Sequence, residues 1–223
     1  MAYPTVNAPY GLKPINLIGG QVFAGQTREL PIAANYGTVI NNGDIVRLSS
    51  GVIVKEAGTT TVSATGVVGV FLGCSYVNPS TGQLFFSNFY PGSINVAGIV
   101  AYVSDDPDQL FKVAVTGGAT STTITPISGL ILGNNLAISQ PSTNTTISGN
   151  SNIGAYDSGS NTAFTLPLRV VGLVEETTNS SGNYSEVIVK WNMPYITLTE
   201  GAPNVVAYNG GHSYLNPTGP ASV

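Results

Sequence analysis

Charge is what this sequence has least of. Only 8% of its 223 residues are Asp, Glu, Lys or Arg, against roughly 25% in an ordinary soluble domain. Seven cations and eleven anions leave a net charge of −4. No basic run exists, so a nucleic-acid partner, which needs clustered cations over phosphates, is not expected. The single cysteine, Cys74, can form no internal disulfide; it lies in the apolar stretch 67–77 and reads as a small core residue. With one cysteine and one histidine, zinc has no ligand set. No stretch approaches the ~18 apolar residues of a membrane helix. The opening Met-Ala-Tyr-Pro-Thr-Val-Asn lacks the cationic and apolar regions of a secretory signal. The expectation is a protein with no membrane partner, made in the cytosol and used there or released by lysis.

Catalytic signatures are equally scarce. A serine hydrolase needs an activated nucleophile beside an oriented base. The nearest approach to the Gly-x-Ser-x-Gly elbow is Gly149-Asn150-Ser151-Asn152-Ile153, with Ile where the second Gly belongs. The only histidine, His212, sits in Gly-Gly-His-Ser-Tyr and reads as a surface turn. Cysteine catalysis would require His212 beside a core thiol. The one dense carboxylate group is Asp105, Asp106 and Asp108. It fails the calcium-loop spacing, because counting from Asp106 puts Leu110 fifth, Lys112 seventh and no glycine sixth. It reads as a solvated turn. Gly66, Gly69 and Gly73 lie within a strand pattern, not before a helix; they point to bulges or close backbone approach. The sequence therefore predicts no catalytic residue, no metal site and no cofactor, and the chain is not expected to be an enzyme.

What is present is β-structure. No window carries the apolar spacing of an amphipathic helix; one turn at Asp105–Leu110 is the best helical candidate. Asp44–Leu48, the turn Ser49-Ser50-Gly51 and Val52–Lys55 read as a hairpin entered through Asn41-Asn42-Gly43. Strand pairs 66–77 with 84–89, and 96–103 with 110–116, flank turns at Pro79–Gly82 and at Asp105–Asp108. Residues 166–175 alternate with a period of two, and 184–191 return after Thr178–Gly182. Val67-Val68-Gly69-Val70 recurs 103 residues later as Val170-Val171-Gly172-Leu173, with Pro91 and Pro194 at the same offset. That is either a pair of related hairpins or a chance match. Residues 117–165, rich in Gly, Ser, Thr and Asn around one apolar core at 127–138, read as an elaborated loop or inserted hairpin. Residues 1–16 carry Pro4, Pro9 and Pro14 with Tyr3 and Tyr10, too rigid and hydrogen-bond-poor for a central strand. They read as an extended N-terminal arm. The Gly/Pro-rich residues 199–223 read as an extended C-terminal tail, leaving a β domain at 17–198. Phe85, Phe86, Phe89, Tyr90, Tyr76 and Tyr102 form an aromatic group expected in the core or at an oligomer interface.

Three stretches carry a resemblance. Asn7-Ala-Pro-Tyr-Gly-Leu-Lys-Pro-Ile-Asn-Leu-Ile-Gly-Gly-Gln-Val-Phe-Ala-Gly25, Tyr102–Val113 and Leu166–Leu173 resemble virion structural proteins of aquatic tailed bacteriophages, cyanophages among them. More loosely, Gly43–Val46, the Gly51 turn and Val68–Val70 resemble the small β-tulip head-decoration proteins exemplified by phage lambda's, which are much shorter. The resemblance implies a cement protein: homotrimers on the outer capsid surface, clamping the major capsid protein, on virions assembled in the host cytoplasm. The fold expected is all-β, a compact antiparallel β-barrel or β-tulip-like domain. Extended arms can add as edge strands to a shell protein, so Tyr3, Pro4, Pro9, Tyr10, Leu12, Pro14 and Ile15 are the expected capsid-binding residues. The rival expectation is a carbohydrate- or receptor-binding β module of a phage fibre or cell surface, marked by a solvent-facing aromatic patch.

Overall fold

The structure, a computed structural model, describes residues 6–59, 67–141, 148–159, 162–163 and 165–192. Among them there is no α-helix. The strands are β1 (Lys13–Leu17), β2 (Arg28–Ile32), β3 (Ile45–Ser49), β4 (Val52–Lys55), β5 (Gly69–Val77), β6 (Leu84–Ser87) and β7 (Ile99–Ser104) in the first half. The second half adds β8 (Gln109–Thr116), β9 (Ile127–Ser128), β10 (Asn135–Ser139), β11 (Gly154–Tyr156), β12 (Leu168–Leu173), β13 (Asn183–Tyr184) and β14 (Glu186–Trp191). Two single 3-10 turns, Gly129–Ile131 and Glu175–Thr177, complete it.

Two six-stranded sheets organise these strands, and β9 pairs with β13 in a separate two-stranded ladder. One runs β1-β8-β11-β10-β12-β14, and β14 returns to pair with β8. Five strands thereby close into a barrel, with β1 appended to it. Every ladder in this sheet is antiparallel except β11 on β8. β8 serves three partners: β14 along one side, and β1 then β11 in succession along the other. The barrel interior is filled by side chains including Phe111, Leu136, Ile138, Val187, Val189 and Trp191. The Phe111 and Trp191 rings meet at 5.3 Å. Each such large buried side chain contributes roughly 1.5–3 kcal/mol.

The second sheet runs β2-β7-β5-β3-β4, with β6 attached to the outer half of β5. Its core holds Ile53, Phe71, Cys74, Tyr90, Ile99 and Val103. Val67, Val70 and Ile45 belong instead to the barrel's core, so the two sheets share one interior boundary. Close approach here depends on Gly69. A Cβ at that position would lie 2.0 Å from the Ser104 carbonyl oxygen, so the β5–β7 pairing excludes any side chain. That is the close backbone approach expected of Gly69 and, with a Cβ 2.8 Å from the Ser87 carbonyl oxygen, of Gly73; Gly66 lies outside the described residues.

The β3–β4 hairpin forms as expected, from Val46↔Lys55 to Ser49↔Val52. Its two turn residues, Ser50 and Gly51, both have positive φ, the conformation that matches strand twist in a two-residue hairpin. β5 and β6 pair across Pro79–Gly82, and β12 pairs with β14. β7 and β8 do not pair. The segment Asp105–Asp108 carries the chain from one sheet into the other, with the Gln109 amide donating to the Asp106 carbonyl at 3.1 Å in a turn and no helix.

Two further expectations meet a different arrangement. Residues 117–165 are not an insertion: β10 and β11 are two of the five barrel staves. Asn135–Ser139 is buried at every position, with Asn135 Nδ2 donating to the Ala163 carbonyl (3.1 Å) and Ser139 to the Ser121 carbonyl (2.9 Å), while Asn135 Oδ1 finds no hydrogen-bond partner among the described residues. The Val-Val-Gly echo is not a repeated hairpin either. β5 meets β6 through residues 74–77, whereas the second copy of the motif, Val170–Leu173, itself pairs with β14. Pro194 lies outside the described residues.

Candidate interaction surfaces

The expected N-terminal arm is largely woven into the domain. Tyr3 and Pro4 lie outside the described residues, as does the tail 199–223. Pro9 is buried and Leu12 is fully buried in the barrel core. Pro14 and Ile15 sit in β1, where Pro14 stands opposite Phe111. Proline is tolerated there because β1 is an edge strand, whose outward amides need no ladder partner. Tyr10 donates its hydroxyl to Glu186 Oε1, and Lys112 Nζ lies 3.4 Å from the same oxygen and 5.8 Å from the Tyr10 ring. Burial first, and then Glu186, push the Tyr10 hydroxyl well above its ordinary range. Beside it Lys13 donates to Asn42 Oδ1 at 2.8 Å, and burial holds its amine below the ordinary value. Of the seven expected anchor residues, Leu12 is sealed from any partner. The described part of the chain that precedes the fold is only 6–8.

Ser151, the residue of the broken elbow motif, is buried in a structural junction. Its hydroxyl donates to Asp44 Oδ1 at 2.6 Å and accepts from the Ile153 amide at 3.0 Å. Asp44 is itself fully buried. It also accepts from the Asn41 amide (2.8 Å) and pairs with Lys55 Nζ (2.8 Å). A hairpin entry, a strand end and the loop before β11 are tied together by one carboxylate. His212 lies outside the described residues. Cys74 is buried, its Sγ 3.4 Å from the Phe89 carbonyl, and burial pushes its thiol up to about 12.

The acidic turn is drawn into ion pairs. Asp105 meets Arg28 at 2.8 Å and Asp108 meets Lys190 at 3.8 Å, while Asp106 Oδ1 accepts from the Asp108 amide. Among the described residues no group of three His, Cys, Asp or Glu side chains is arranged to hold a metal. A shallow cleft of about 480 Å³ lies alongside, between the loop after β1 and this turn, lined by Leu17, Val22, Phe23, Arg28 and Asp106 among others. No helix among the described residues is long and apolar enough to cross a membrane.

The aromatic group divides. Tyr90 and Tyr76 are core residues; Tyr36 stacks on Tyr90, and Phe85 tilts against Tyr76 at 5.6 Å. The β6 strand, however, is Leu-Phe-Phe-Ser with its three large side chains turned to solvent, Leu84 being 60% and Phe86 65% exposed. Val77 stands opposite Leu84 across the ladder, so Val77, Leu84 and Phe86 share one exposed face. Among the described residues no strand pairs with the outer edge of β6. A second apolar patch surrounds the 3-10 turn after β9, where Leu130 is 88% exposed and Leu132 stands beside it. Sequence reasoning left Phe85 and Phe86 between the core and an oligomer interface, and it missed the Leu130 turn. The available signal was charge: β6 falls within 57–104 and the Leu130 turn within 113–156, two spans without a single Asp, Glu, Lys, Arg or His.

No protein family matches this chain. No curated protein and no solved structure matches it either.

Proposed function

We propose that this chain is a structural virion protein that decorates and cements the outer surface of a phage capsid by binding the major capsid protein, and that it does so as a homotrimer. The observation that carries the reading is a side-chain-filled barrel whose charge-poor surface exposes apolar residues on an unpaired strand edge. Native proteins blunt such edges with lysine, proline or a covering element, and among the described residues β6 has none of these. A surface of this kind is made to be buried against protein. Cementing then follows from linkage: a protein that binds only the assembled shell stabilises it by mass action. Because residues from Pro9 onward pack into the domain, we assign the anchoring contacts to the segment before them, which contains Tyr3 and Pro4. The remaining expected contacts come from the flanks of β1, Ile15 among them.

The test uses heads assembled without this chain. Purified full-length protein should co-sediment with them saturably and raise the temperature at which they release DNA. Protein that leaves both the pellet and the release temperature unchanged is not a cement protein. A second reading, a carbohydrate- or receptor-binding module, is favoured by one observation: Phe85 and Phe86 face solvent. A sugar platform also needs hydrogen-bonding groups around the ring, whereas the exposed neighbours of Phe86 on its face are Val77 and Leu84. Saturable binding to immobilised glycans, lost in Phe86→Ala, would favour this reading over decoration.

A further inference from the structure

We infer that the segment directly following β14, Met193-Pro194-Tyr195-Ile196-Thr197-Leu198, which lies outside the described residues, turns back across the end of its own barrel and fills the cleft beside the acidic turn. Ile196 and Leu198 seat against Val22, Phe23 and Pro107 of the cleft lining. This closure is independent of the capsid reading above.

Three observations bring the segment and the cleft together. The first is where the described chain stops. β1 and β14 both run antiparallel to β8, so the end of β1, the start of β8 and the end of β14 lie at one end of the barrel. Leu17 stands opposite Gln109 there, and the register that sets Val189 opposite Phe111 brings Trp191 level with Gln109 on the other side of β8. Lys190 reaches the acidic turn, its Nζ 3.8 Å from Asp108 Oδ1. Trp191 is thus two strand spacings, roughly 10 Å, from the cleft-lining Leu17. Three extended residues after Asn192 cover that distance at about 3.3 Å each. A segment tethered so closely has an effective concentration on the order of millimolar, well above that of a second copy's segment in dilute solution. The second observation is an uncovered apolar lining. Val22 is 76% exposed although it lines a concavity with Leu17, Phe23 and Pro107. The charged lining does not oppose an apolar occupant. Arg28 and Asp105 meet each other at 2.8 Å with half of the Arg28 side chain left in water, and Asp106 Oδ1 accepts the Asp108 amide. The third observation is an acceptor. Gln109 also lines the cleft and is 1% exposed. The Asn16 and Leu110 carbonyls, at 3.0 and 2.9 Å, hold its Nε2, and no described group donates to its Oε1. A buried acceptor left without a donor is costly, and the amides of an extended segment are donors of the right kind. Residues 193–198 suit the place. Ile196 and Leu198 alternate with Thr197, so an extended chain turns both apolar side chains to one face.

Disulfide trapping on the full-length chain tests this. Val22→Cys with Ile196→Cys should close within one chain under mild oxidation; Cys74 is buried and takes no part. The reference pair is Thr81→Cys with Ile196→Cys. Thr81 is exposed in the turn after β5, and that end of β5 points away from the acidic turn, because Ser75 pairs with Val100 and Val70 with Ser104. The cleft pair should close at least about ten-fold faster than the reference pair, giving a single-chain product on non-reducing electrophoresis. Equal rates overturn the inference. A product of twice the chain mass also overturns it, since the cleft then holds the segment of a second copy. A variant without added cysteines covers the case in which the pair disturbs folding. Ile196→Ser with Leu198→Ser should speed hydrogen exchange of the amides at 22–24 by about ten-fold while those of β8 and β14 keep their wild-type rates. Exchange at 22–24 that matches wild type, or that rises equally across the barrel, overturns the inference as well.

Discussion

Replacing Asp44 by alanine should be among the most damaging single changes available in this chain. The carboxylate is fully buried and accepts from the Asn41 amide at 2.8 Å, Lys55 Nζ at 2.8 Å and Ser151 Oγ at 2.6 Å. Truncation strands three donors where water cannot readily enter, and it leaves an ammonium without its counter-charge. Removing one partner of a buried pair costs about 3–5 kcal/mol. Each orphaned neutral donor adds roughly 1 kcal/mol or more. The Lys55 side chain is 14% exposed, which lets it recover some hydration and keeps the sum near that range. In a chain of this size about 1 kcal/mol moves the melting temperature by roughly 2–4 °C, so Asp44→Ala should lower it by roughly 6–20 °C. Asp44→Asn retains an acceptor for Ser151 but not the ion pair, and should fall between wild type and Asp44→Ala. Calorimetry with matched urea titrations at pH 7 measures both. A loss below about 1 kcal/mol for Asp44→Ala would show that the junction reorganises around water and carries none of the weight assigned to it.

Four other outcomes follow from the same geometry. Deleting residues 2–8 should leave the fold and its melting temperature intact while weakening head binding; deleting 2–16, which removes fully buried Leu12 and four of the five residues of β1, should abolish soluble protein, as expression and circular dichroism will report. Leu12→Ala alone should cost about 2.7–5 kcal/mol in urea unfolding, the range for a leucine removed from a packed core. Gly69→Ala should cost roughly 3 kcal/mol or more, because its Cβ would lie 2.0 Å from a backbone oxygen that cannot swing away; near-wild-type stability would mean the β5–β7 ladder is looser than described. The Cys74 thiol, pushed up to about 12 by burial, should resist thiol reagents at pH 8 until the protein is unfolded in urea. The sign of its contribution to stability follows: the folded state holds the proton more tightly, so this stability is complete below pH 9, the ordinary thiol value, and is lost as pH rises toward 12.

The parts of the fold legible in the sequence are those with turn chemistry between alternating runs. Ser50-Gly51 fixes β3 against β4, and Pro79–Gly82 fixes β5 against β6, because a short turn sets both the partner and the register. β10 and β11 were illegible for the opposite reason. Asn135-Leu-Ala-Ile-Ser139 is buried on both faces, so it shows no alternation, and its Asn and Ser look like loop residues until their internal partners are seen. β1 was hidden by Pro14, which argues against a central strand but not against the edge position it occupies. The exposed patches were invisible to residue type alone. Phe85 and Phe86 read the same in a core as on a surface, and only the pairing of β6 with one neighbour distinguishes the two.

The threefold use of β8 also orders the birth of the molecule. Chains emerge from the ribosome amino end first, and β-pairings distant in sequence form slowly. The whole second sheet, β2 to β7, lies between Arg28 and Ser104 and can assemble while the barrel's residues are still being made. The barrel cannot close until Trp191, at the end of β14, has left the ribosome. Until β8 has emerged, β1 waits without its ladder partner, since that strand starts only at Gln109, while Leu12 has the Gly43 carbonyl to accept its amide. β1 is thus made before the second sheet and paired after it. A strand held this way becomes fixed once the first stave of the barrel exists, and it then waits for β14 to complete the closure.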